Sequence, residues 1–137
     1  MDEEMFKKMK AKPHCAAAVF YAPAGYPKSS EMIWNNSAQA DFVHLFIESR
    51  EQFAERFPQV AKVCTESGSF WISYPRSEGK KKYDINRDSL WGLLLSAGFH
   101  PVMQVALDEE WSAVRVKKNE AGVVYEPPSN VKRSNDV

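Results

Sequence analysis

The sequence predicts a single α/β domain in three layers: a mostly parallel sheet of about five to six strands, helices on both faces, and an antiparallel hairpin at its C-terminal end. Three observations lead there. The stretch Asp41–Pro75 reads strand, helix, strand, and both strands are apolar on both faces, as a βαβ unit inside a covered parallel sheet requires. Two later apolar runs, Pro101–Leu107 and Trp111–Val116, are separated only by Asp108-Glu109-Glu110, a connection that only an antiparallel pair can use. The 137 residues, 44% hydrophobic and 26% charged, suit one globular core.

The elements follow in order. Met5, Phe6 and Met9 cluster at helical spacing within Met1–Lys12, so a short amphipathic helix covers one side of the core and ends before Pro13. The alanine-rich run Cys15–Ala22 would favour helix by composition alone. Pro13 before it and Pro23-Ala24-Gly25-Tyr26-Pro27 after it leave room for a strand instead, whose small residues let something pack close. Met32-Ile33-Trp34 is a second short strand, and Asp41–Ile47 is the central one.

A helix begins after Ser49, which forms a capping-box pattern with Gln52, and it runs toward Val63. Phe53, Phe57, Val60, Ala61 and Cys64 make its buried stripe. Pro58 predicts a kink or two short helices, and Gly68 a left-handed cap that ends the segment. The strand Phe70–Tyr74 follows, closed by Pro75. A polar loop through Lys80, Lys81 and Lys82 leads to a helix for which Asn86 and Asp84 are rival N-caps. Ile85 and Leu90 have staple spacing, Leu90, Trp91, Leu94 and Ala97 form the buried face, and Gly98 stops the helix. The domain spans residues 1–118. Residues 119–137 are polar, contain Pro127-Pro128 and read as a flexible tail.

Composition narrows the function classes. A formal net charge of zero gives no global attraction to nucleic acid or to an anionic membrane, and neither is expected as a partner. The N-terminus does not read as a signal peptide, and no apolar run reaches the ~20 residues that span a bilayer, so a cytoplasmic location is expected. Cys15 and Cys64 form no CxxC pair and read as small buried hydrophobes. His14, His44 and His100 are not at metal-ligand spacing, so no metal is expected. His44 lies mid-strand and reads as a core histidine with one hydrogen bond, and Trp71, Trp91 and Trp111 read as packing residues. No serine sits in a GxSxG elbow, and no catalytic residue is assigned.

The local text around these elements resembles known proteins. Asp41-Phe42-Val43-His44-Leu45-Phe46 and Gly68-Ser69-Phe70-Trp71-Ile72-Ser73 are similar to two strands of Rossmann-like, S-adenosylmethionine-dependent methyltransferases, which also end in an antiparallel hairpin. A family of small bacterial proteins of no assigned activity is more similar still. It shares Ala22-Pro23-Ala24-Gly25-Tyr26, Tyr74-Pro75-Arg76, Asp84-Ile85-Asn86-Arg87-Asp88 and Leu107-Asp108-Glu109-Glu110-Trp111-Ser112-Ala113-Val114-Arg115, over roughly Lys7 to Lys117. The resemblance implies a single Rossmann-like domain, a truncated methyltransferase in outline. The chain departs from the cofactor-binding pattern. The turn after the first strand holds one glycine, Gly25, and the second strand ends in Asn35 where an acidic residue would hold a ribose. No cofactor is therefore expected, S-adenosylmethionine included.

Ligands of open α/β sheets bind beyond the carboxyl ends of the strands. The candidate ligand-binding residues there are Tyr26, Arg50, Tyr74, Arg76, Lys80, Asp84, Asn86, Arg87 and Asp88. Arg76 and the lysines could hold a phosphate or carboxylate beside a helix N-terminus. Residue type favours the other reading, in which the lysines are a solvated loop and Asp84, Asn86, Arg87 and Asp88 cap and brace a helix. The expected function is a non-catalytic Rossmann-like protein that binds a small anionic ligand or a protein partner. A reduced S-adenosylmethionine-dependent methyltransferase is one alternative. A structural interaction protein, such as a homodimer, is another.

Overall fold

A computed structural model describes residues 1–76 and 83–125. The expected loop lysines Lys80, Lys81 and Lys82, and residues 126–137 of the expected tail, lie outside the described residues.

The elements run α1 (Glu4–Lys8), β1 (Ala16–Phe20), β2 (Ile33–Trp34), β3 (Ala40–Phe46), α2 (Arg50–Ala61), β4 (Cys64–Pro75), α3 (Arg87–Ser96), β5 (Phe99–Ala106) and β6 (Trp111–Lys118). They build one six-stranded sheet in the order β2-β1-β3-β4-β6-β5. The pairs from β2 to β4 are parallel, and β6 pairs antiparallel with both β4 and β5. No described helix is long and apolar enough to cross a membrane.

Strand alternation sorts the core into two faces. Val43, Leu45, Phe70, Ile72, Val114 and Val116 pack beneath α2 and α3, which contribute Phe53, Phe57, Val60, Leu90 and Leu94. Phe57 stacks on Phe53 at 4.7 Å and on Phe70 at 5.6 Å between ring centres. The other face is covered by α1: Met5, Phe6 and Met9 lie over Ala17, Phe42, Trp71 and Ala113. The alanines of β1 explain the close approach, since Phe6 reaches past them to Phe42, Trp34 and Tyr26 at 5.9–6.1 Å. Burying each such side chain contributes about 1.5–3 kcal/mol.

Several local expectations are overturned. α2 continues as one helix through Pro58. Pro58 and Ala54, whose carbonyl the proline leaves without a partner, both face solvent, so water can take the lost bond. Cys64 does not end that helix; it begins β4. Gly68 is no left-handed cap, because α2 closes at Lys62. Instead Gly68 lies inside β4, where a Cβ would stand 2.7 Å from Thr65 Oγ1 and 2.8 Å from the Asp41 carbonyl oxygen. The register jumps from Ala40–Cys64 to Phe42–Ser69, so Thr65–Gly68 bulge opposite Asp41 alone. Cys15 and Cys64 are half-buried rather than buried. Ala97 is exposed, and Gly92 takes its place on the inner face of α3.

The rivalry of the two caps resolves in favour of Asn86, and Asp84 does not cap α3. Asn86 Oδ1 accepts from Ser89 N, and Ser89 Oγ accepts from Asn86 N, each at 2.9 Å, a complete capping box for α3. Asp84 serves α2 instead: its carboxylate accepts from Arg50 N at 3.1 Å. Past β6 the chain stays in contact. Asn119 Oδ1 lies 2.7 Å from His100 Nδ1, and Tyr125 stacks on the same imidazole at 3.9 Å.

Candidate functional site

The carboxyl ends of the parallel strands meet the β5–β6 turn, and a cleft of about 420 Å³ opens between them. Pro23, Ala24 and Gly25 form one wall; Asp108, Glu109, Glu110 and Trp111 form the other, and Met1 also lines the cleft. The first wall follows a left-handed Tyr21, φ 61°, whose ring lies over the Arg56 guanidinium at 3.8 Å. Gly25 has φ 85°, a conformation that favours glycine at this turn.

The second wall is held by its own first residue. Asp108 Oδ1 accepts from the backbone N–H groups of Glu110 and Trp111 at 2.7 and 2.8 Å, closing an Asx turn. Asp108 Oδ2 lies 2.9 Å from the Met1 amino group. Partial burial alone would raise the Asp108 pKa, but the amino group and the two N–H donors outweigh it and hold the carboxyl below its ordinary value. Arg76 braces the turn from β4: its backbone N–H donates to the Glu110 carbonyl at 2.8 Å and its guanidinium to the Asp108 carbonyl at 3.2 Å. Trp111 packs edge-on against Phe46 at 5.0 Å.

Beneath the first wall runs a buried polar chain. Tyr26 Oη is 2.9 Å from His44 Nδ1, and His44 Nε2 is 2.5 Å from Ser73 Oγ. His44 thus has two partners, not the one expected. It lies on the α1 face between Phe42 and Phe46, fully buried. Burial holds its pKa down at about 3, so the imidazole is neutral and one nitrogen donates while the other accepts. Burial also raises the Tyr26 hydroxyl, so the phenol stays protonated. The chain ties the Pro23–Tyr26 loop through β3 to β4.

The residues singled out from sequence do not form one site. Arg50 and Asp84 pair: besides the cap, Arg50 Nε donates to the Asp84 carbonyl at 2.8 Å and joins the starts of α2 and α3. Asn86 and Asp88 lie on the first turn of α3, with Asp88 3.4 Å from Arg87 Nε. Tyr74 and Arg87 line a separate apolar cavity of about 240 Å³ between α3 and β5, with Leu90, Trp91, Leu94 and Met103. There Tyr74 Oη accepts from Gln104 Nε2 at 2.9 Å, and burial first of all pushes the hydroxyl up to about 12. Tyr26 and Arg76 serve the cleft as supports for its two walls. Asp108, Glu109, Glu110 and Trp111 were read from sequence only as a hairpin turn. Three consecutive carboxylates before a tryptophan were the available signal.

S-adenosylmethionine is the cofactor that the sequence resemblance to methyltransferases implies, and the residues do not suit the seat that this resemblance gives it. Gly25 is the only glycine of the turn after β1, and a Cβ there would meet nothing within 4 Å, so its conformation rather than a close ligand approach accounts for it. After β2, Asn35 Oδ1 accepts from Ser37 N, and the Asn36 side chain pairs with both backbone groups of Val19. No carboxylate stands there for a ribose.

No family model matches the chain, and no curated protein matches it. Solved structures do. A ribosomal-protein methylase from Lactobacillus delbrueckii subsp. bulgaricus superposes with a TM-score of 0.53 at 12% identity, over 84% of this chain and 75% of that one. A putative type 11 methyltransferase from Sulfolobus solfataricus gives 0.53 at 10% identity, over 90% and 94%. LepI in complex with SAM gives 0.50 at 14% identity, over 85% of this chain but 39% of its own length. At such identities the likeness is one of fold alone, and this chain has a methyltransferase-like α/β fold.

Proposed function

We propose that the protein is a methyltransferase-fold binding protein whose cleft at the strand carboxyl ends takes a small cation-bearing ligand. One observation carries this reading: the cleft lies where open α/β sheets receive ligands, and its described wall presents Asp108, Glu109 and Glu110 beside the Trp111 ring. Asp108 is already paired with the Met1 amino group, so Glu109 and Glu110 carry the remaining negative charge; they repel the anionic ligand expected from sequence and attract an ammonium or sulfonium group, which the indole face also favours.

A second reading, methyl transfer from S-adenosylmethionine, is favoured by the methylase and methyltransferase among the similar structures. That molecule is itself a sulfonium cation, so one experiment addresses both. Calorimetric titration compares S-adenosylmethionine, the uncharged thioether S-adenosylhomocysteine, and spermidine as a cation without a nucleoside. Saturable binding of the cations, weakened about tenfold or more by a Glu109→Lys, Glu110→Lys double variant, supports the cleft reading. Equal affinity for the sulfonium and the thioether would favour a nucleoside-reading site and the methyltransferase alternative. Silence from all three would refute both.

A further inference from the structure

A second concave surface opens at the opposite end of the sheet, where β4 begins and β6 ends. It encloses about 820 Å³, within the range of small-molecule sites. Phe70, Phe99 and Val116 supply an apolar side, and the bulge Thr65–Gly68 forms a wall. That wall is built rather than loose: Thr65 Oγ1 donates to Asp41 Oδ1 at 2.7 Å, and Gly68 leaves no room for a side chain.

The charge here is the reverse of the cleft's. Lys62, Arg115, Lys117 and Lys118 line the groove against two carboxylates, Glu66 and Glu120. None of the four cations has an ion-pair partner among the described residues. Arg115 Nε is shut off from solvent and has no hydrogen-bond partner there. Buried donors on native proteins are almost always paired, and a charged one without an acceptor calls for a specific explanation. Burial and then the Asp41 carboxylate push the half-buried Cys64 thiol up to about 11, and the Arg115 charge acts against them.

We infer that this groove is an anion site: it binds an organic oxyanion, with a carboxylate or phosphate head at Arg115, Lys117 and Lys118 and an apolar body along Phe70 and Phe99. A guanidinium presents its donors in a planar fork that suits a two-oxygen head, which a lone ammonium cannot do. This site is independent of the cleft and of the function proposed for it.

The test is calorimetry on the whole chain with three probes: octanoate, octyl phosphate and inorganic phosphate. The expected result is saturable binding of at least one octyl compound, about tenfold or more tighter than inorganic phosphate and weakened by added salt. The better head group identifies the ligand class. Arg115→Met, which keeps the length of the side chain and removes its donors, is expected to weaken binding by about tenfold or more. Lys117→Glu, at an exposed position, is expected to act in the same direction if Arg115→Met does not fold. Glu109→Lys in the cleft should leave octyl binding unchanged. Absence of saturation with both octyl compounds overturns the inference, as does full affinity in a folded Arg115→Met or Lys117→Glu protein.

Discussion

His44 should make this fold sensitive to mild acid. In the folded chain the imidazole is fully buried between Tyr26 and Ser73, and burial holds its pKa at about 3; in the unfolded chain the ordinary value of 6.5 applies. The folded state therefore refuses a proton that the unfolded state accepts. The stability from this group is complete above pH 6.5 and is lost as pH falls toward 3. Between about pH 8 and about pH 5 the linkage integrates to about 2 kcal/mol, close to the one-proton slope of about 1.4 kcal/mol per pH unit. Urea unfolding across that range measures it. Because carboxylates also begin to titrate near pH 5, the decisive quantity is the difference between the native protein and a His44→Phe variant, whose unfolding should lose this slope whatever its absolute stability. Proton NMR offers a second readout, in which the folded His44 ring should not titrate above about pH 5. An imidazole that titrates near 6.5 in the folded state, or a slope that survives His44→Phe, would refute the reasoning.

Two further substitutions test the local structure. Gly68→Ala drives a methyl group into the Asp41 carbonyl and the Thr65 hydroxyl, so a loss of about 1–3 kcal/mol is expected; an unchanged melting temperature would mean that the bulge is not as tight as described. Asn86→Ala removes the side-chain half of the α3 capping box and should cost about 1 kcal/mol in urea unfolding, with Asn86→Asp retaining most of it.

Much of the architecture was legible in the residues. Two strands apolar on both faces around a helix pointed to the parallel centre, and the three-residue turn pointed to the antiparallel end, because these patterns have few alternatives. Cap chemistry was legible at Ser49, Asn86 and Gly98 for the same reason. The end of α2 was not. Cys64 continues a helical stripe by spacing, yet it begins a strand, since pairing with Ala40 outweighs a weak local preference. Gly68 looked like a cap because glycine serves two purposes, a left-handed turn and a close approach, and sequence does not distinguish them. The candidate site dispersed for a similar reason. Asp84 and Arg50 are residue types that bind ligands and also cap helices, and here they cap each other's neighbourhood. The acidic cleft stayed hidden because its walls are 83–88 positions apart, Pro23–Gly25 against Asp108–Trp111, and come together only through the sheet order.

The two margins of the sheet carry a consequence for how the protein behaves in concentrated solution. On one side β2 is two residues long, and on the other β5 contains Pro101 and a register shift just after it. A two-residue margin gives an incoming strand little to grip, and a proline has no N–H to offer it. The native molecule thus presents poor templates for strand addition. Loss of material on storage should start from opened molecules, and its rate should rise in mild acid, where the neutral imidazole under the first wall of the cleft is least favoured.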